Sequence, residues 1–106
     1  MAANKPKIAT KQIEKEIDGV VYTLRQATAT EYFEFQDTLY YNGKFHQAEY
    51  IGAVLDACVV NPTVTLNDFT GKTDTVRKLR SAIEALNSGK TEDEVDAEDE
   101  DAIKNI

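Results

Sequence analysis

The sequence predicts an α+β domain, mainly α, in which an N-terminal β-hairpin precedes about three helices and a disordered acidic C-terminal tail follows them. Three observations carry this prediction. Two short alternating runs flank Asp18-Gly19, apolar residues recur at spacings of three and four in later stretches, and eight carboxylates crowd residues 92–101. The implied organisation is a flexible arm over 1–11, a single globular domain over 12–90 and the tail over 91–106.

Residues 1–11 hold Pro6 among lysines and asparagine without apolar periodicity, which gives an arm little to anchor it. In "KQIEKEIDGVVYTLR" the Asp-Gly pair supplies the positive φ angles that a two-residue type I′ turn demands. Before the turn Ile13 and Ile17 share a face with Lys15 between them; after it Val20, Tyr22 and Leu24 alternate with Val21, Thr23 and Arg25. A two-stranded hairpin is marginal alone, so one face must lie on the helices. Its outer edge is either solvated or open to a strand from a neighbour.

"TATE" sets Thr28 as a helix cap with Glu31 three residues on, the reciprocal capping-box spacing. The first helix is expected to run to about Tyr41, with Gly43 as the left-handed residue that ends it. In the second, "FHQAEYIGAVLDACVV", the residues Phe45, Ala48, Ile51, Leu55 and Cys58 form the expected core stripe, and Asn61-Pro62 stops the helix. "TLNDF" adds a single turn that returns Leu66 and Phe69 to the core. A third helix from about Asp74 to Ser88 presents Val76, Leu79, Ile83 and Leu86, and Gly89 ends it.

Charge divides the chain. Residues 91–106 carry one lysine against eight carboxylates, 1 − 8 = −7, which equals the net charge of all 106 residues, so residues 1–90 balance. The tail offers Val95, two alanines and two isoleucines, too little apolar area to offset its ordering entropy. The acidic balance argues against nucleic-acid binding, because the eleven cations of residues 1–90 are scattered among as many anions. No apolar run approaches the roughly 20 residues of a membrane span, and "MAANKPKIATK" lacks the apolar centre of a signal peptide, so a cytosolic protein is expected.

Catalytic parts are scarce. His46 is the sole histidine and reads as a surface or cap residue; Cys58 is the sole cysteine, on an apolar stripe where a buried, inert thiol is the usual meaning. The glycines are isolated, without a phosphate-cradling loop, and the acidic run lacks the central glycine of a calcium loop. A non-enzyme without cofactor or metal is the expectation.

What remains is surface. The first helix carries Tyr32, Phe33, Phe35, Leu39, Tyr40 and Tyr41, more ring area than one core stripe needs. With Tyr32, Phe35 and Leu39 on the core, Phe33 and Tyr40 fall nearly in line on a second flank, and with Tyr41 they are the candidate partner-binding residues. Either that flank meets a partner, or both flanks are used inside the domain. In the second helix Gly52 costs about 1 kcal/mol against alanine, so a close backbone approach within the domain is expected beside it.

The succession "IDGVVYTLRQATATEY", a helix, "GKFHQAEYIGAVLDACVVNP" and "LNDF" resembles the small tail assembly chaperones of long-tailed phages (siphophages) of Gram-positive bacteria, over about residues 12–88. The order of Asp18-Gly19, Tyr22, Leu24-Arg25, Thr28 and Val59-Val60-Asn61-Pro62 carries the likeness. It implies a non-enzymatic chaperone that coats the phage tape measure protein and aids assembly of tail tube protein around it. It also implies action in the cytoplasm of the infected host and absence from the mature virion, with possible self-association. A longer form made by translational frameshift is implied too, and the acidic stretch would be a solvated linker that keeps the short form soluble or carries the extra domain of the long form. Competing readings are a structural tail or head-completion protein of the virion, an acidic adaptor that docks on a basic partner, and a DNA-mimic inhibitor, which would need its carboxylates held on folded structure.

Overall fold

The computed structural model describes residues 10–90, and the 1–9 part of the predicted arm and the 91–106 tail lie outside the described residues. Strands β1 (Gln12–Ile17) and β2 (Val20–Arg25) form the N-terminal hairpin. Helix α1 (Ala29–Leu39) leads into a second, short hairpin of β3 (Tyr40–Tyr41) and β4 (Lys44–Phe45). Helix α2 (Gln47–Cys58), β5 (Val59–Asn61), a 3-10 turn at Leu66–Phe69 and helix α3 (Thr73–Asn87) complete an α+β domain that is mainly helical.

The first hairpin forms at the expected turn. Asp18 and Gly19 take φ values of 52° and 85°, and Ile13 pairs with Leu24, Lys15 with Tyr22 and Ile17 with Val20. This register puts Ile13, Lys15 and Ile17 on the buried face with Tyr22 and Leu24. An inward-pointing lysine on an edge strand discourages strand-to-strand pairing with other chains, because a neighbour would have to accommodate its charge.

Helix α3 lies along this hairpin in the direction of β2. At the turn, Asp18 accepts hydrogen bonds from Thr75 Oγ1 at 2.5 Å and Lys78 Nζ at 2.8 Å. At the far end Gln26 Nε2 donates to the Leu86 carbonyl at 2.9 Å and the Ala27 N–H donates to Asn87 Oδ1 at 2.8 Å. The predicted stripe of Val76, Leu79, Ile83 and Leu86 is buried, joined by Ala82 and Ala85. Gly89, at φ 87°, ends the helix as expected.

Four expectations need correction. The first helix stops at Leu39 rather than Tyr41, because Asn42-Gly43 at φ 53° and 74° builds a second two-residue turn and draws Tyr40 and Tyr41 into a strand. Gly43 therefore belongs to a hairpin and does not cap the helix. The core face of α2 is Tyr50, Val54, Leu55 and Cys58, with Ile51 partly buried, whereas Phe45 and Ala48 are exposed. Val59-Val60-Asn61 leave the helix as β5, which pairs antiparallel with β2 through Leu24↔Val59 and Thr23↔Asn61, with a register shift between the two pairs.

The fourth correction concerns Gly52. A Cβ built there meets nothing within 4 Å, so no backbone lies close to it and the expected packing reason is absent. The addition of β5 makes a sheet ordered β1-β2-β5, so the free edge of β2 is covered by this chain itself.

Candidate interaction surface

The β3–β4 hairpin projects rings that the rest of the domain does not cover. Aromatic residues favour extended backbone, and the I′ turn matches the strand twist, so Tyr40-Tyr41-Asn42-Gly43-Lys44-Phe45 folds locally into paired strands. Tyr40 and Phe45 face each other across the ladder with ring centroids 4.8 Å apart in an edge-on arrangement. They are 54% and 74% exposed, values that leave most of both rings available to another molecule.

The opposite face of the hairpin is braced. Tyr41 stacks on His46 at 3.7 Å with the planes 9° apart, and its hydroxyl donates to Glu49 Oε1 at 3.0 Å. The accepting carboxylate holds the Tyr41 phenol above its usual range, because ionisation would cost that hydrogen bond. His46 Nε2 lies 3.2 Å from the Tyr41 carbonyl oxygen, and the His46 N–H donates to the Leu39 carbonyl at 2.6 Å, which fastens the hairpin to both helices. Tyr41 thus acts partly as a strut, at 38% exposure.

Phe33 stands on α1 at 64% exposure, its ring edge-on to Tyr32 at 5.2 Å. The helical spacing that would align it with Tyr40 does not apply, since Tyr40 lies beyond the helix. Phe45 is the ring that sequence reasoning misplaced into the core, although Asn42-Gly43 is the same kind of signal as Asp18-Gly19. The three predicted residues and Phe45 are all on the surface, and the hairpin brings Tyr40 and Phe45 together.

A second feature is a groove of about 330 Å³ between α2, the 3-10 turn and the first half of α3. Ile51, Leu66, Phe69 and Val76 supply apolar lining, and Arg77 and Arg80 stand among its lining residues. The Arg80 guanidinium lies 5.5 Å from the centroid of the buried Tyr50 ring. Arg77 pairs with Asp74 at 2.6 Å in an exposed contact.

Cys58 is fully buried, and desolvation pushes its thiol up to about 11. Among the described residues no cluster of three or more His, Cys, Asp or Glu is placed to hold a metal ion, and no helix is long and apolar enough to cross a membrane. The chain matches no family model, no curated protein and no solved structure.

Proposed function

We propose that the protein is a non-enzymatic tail assembly chaperone of a long-tailed phage, which binds the tape measure protein and aids tail tube assembly around it. The observation that carries this reading is the exposed Tyr40–Phe45 pair, presented on a braced hairpin, with Phe33 separately exposed on α1. Covering roughly 100 Å² of apolar ring surface contributes about 2.5 kcal/mol, so two or three rings suffice for a reversible hold on an apolar client. The order of the Asp18-Gly19 turn, the Thr28 cap and the segment before Pro62, on which the family resemblance rests, supports the same reading. The protein then acts in the cytoplasm of the infected host and leaves before the virion is complete.

The test is co-expression with the large helix-rich protein encoded beside it. The chain is expected to raise that client's soluble fraction and to co-purify with it. The F33S/Y40S/F45S variant is expected to lose both effects while keeping its circular dichroism spectrum. Equal rescue by the variant would overturn the role given to the rings. Detection of the chain in purified particles by mass spectrometry would favour a virion component instead.

A further inference from the structure

We infer that the acidic run at 92–101 docks in cis on α3, with its carboxylates on Arg77 and Arg80 and Val95 over the apolar lining of the groove. This does not depend on the phage reading. The charge layout supports it first. Residues 72–90 carry Lys72, Arg77, Lys78, Arg80 and Lys90 against Asp74 and Glu84, 5 − 2 = +3, while residues 1–71 carry six cations against nine anions, 6 − 9 = −3. The run that follows Lys90 therefore emerges beside the cationic element of an otherwise acidic domain.

The direction of the chain supports it second. The Gly89 N–H donates to the Leu86 carbonyl at 3.0 Å and the Lys90 N–H donates to the Ala85 carbonyl at 3.1 Å, the paired bonds of a Schellman ending that turns the backbone back on its helix. Lys90 then lines a shallow groove of about 170 Å³ with Ser81, Glu84, Ala85 and Ser88. Ser81 and Ser88 belong to the helical stripe that Arg77 begins, at spacings of four and seven. The last described residue thus lies against the track that leads to the guanidinium groups.

Reach agrees with this placement. Arg77 precedes Asn87, the last residue of α3, by ten residues, about 15 Å of helical rise, and the five extended residues from Lys90 to Val95 span about 17 Å. Glu84 beside the track repels the run, whereas the Arg77 ion pair among the described residues is the exposed one with Asp74, which a denser array of carboxylates displaces at little cost. A tether this short holds the run at an effective concentration in the millimolar range, so weak individual contacts suffice. The run then acts as an internal occupant that any partner for the groove must displace.

A spin label at D99C in the 106-residue chain tests this, since buried Cys58 with its raised thiol does not compete for a maleimide reagent. At low salt the amide signals of Ile51, Val76 and Arg80 are expected to lose about half their intensity or more, and to recover near 1 M salt, where the Debye length is about 3 Å. R77E/R80E, and separately E92Q/D93N/E94Q/D96N, are expected to restore the signals; the second variant leaves the described domain unaltered. Full signals in the labelled chain at low salt, or losses that both variants retain, would overturn the inference. Losses that arise only when labelled chains are mixed with isotope-enriched unlabelled ones would also overturn it, by placing the contact between copies.

Discussion

Arg25 at the end of β2 grips Glu31 in the first turn of α1 through two parallel hydrogen bonds, Nη1 to Oε1 at 2.9 Å and Nη2 to Oε2 at 2.7 Å. The same carboxylate accepts the Thr28 N–H at 2.9 Å, and the Glu31 N–H donates to Thr28 Oγ1 at 3.2 Å. One side chain therefore closes the capping box and fixes the angle between the sheet and the first helix. The arginine hydrogen bonds, followed by the Thr28 N–H, draw the Glu31 carboxyl down to about 2 from its usual 4.5.

Replacing Glu31 by Gln is expected to cost about 1 kcal/mol, and no more than about 2, because the pair is partly solvated. The sign of the pH effect follows from the lowered value. The unfolded carboxyl takes its proton near 4.5 and the folded one near 2, so the stabilisation is complete above 4.5 and fades as pH falls between these values. Thermal melts of wild type and E31Q should converge toward pH 2; a gap that stays constant would show that the charge contributes nothing.

Gly19→Val should lower stability by about 1–2 kcal/mol, since a β-branched residue is strained at the φ of 85° that the turn imposes. The loss should extend to α3, whose Thr75 and Lys78 bond Asp18 beside it. Urea unfolding followed by circular dichroism measures this, and an unchanged midpoint would refute the turn.

Gly52→Ala should stabilise the protein by about 0.8–1 kcal/mol, because the added methyl enters open space and helix propensity improves. A lower melting temperature would mean that something packs against Gly52 in solution.

Cys58 should react with a thiol reagent in urea-unfolded protein and barely at all in native protein at neutral pH. Burial removes both access and thiolate, with the thiol pushed up to about 11. Rapid native labelling would place α2 in frequent local opening.

Much of this fold was legible because its signals are local. A turn that needs two positive φ angles, a cap that needs Thr28 and Glu31 three apart, and the α3 stripe each depend on residues within a few turns of one another. Asn42-Gly43 carried the same local signal, and it outweighed the helical reading of Tyr40 and Tyr41. The candidate surface was legible in kind, as surplus rings, but Phe45 was assigned to the wrong environment by a spacing that also fits a helix.

By itself the sequence determined the order of hairpin and helices, the cap, the α3 core face and the separation of the charge-balanced residues 1–90 from the acidic run. Tertiary structure decided that Val59–Asn61 is a strand, because the unfilled hydrogen bonds of β2 lie 34 or more residues earlier in the chain and no local pattern records them. It also decided which ring of the stretch expected as the second helix is buried. Tyr50 lies under Arg80 of α3 while Phe45 is left outside, since burial depends on where a distant helix docks and periodicity only ranks the faces it can choose from.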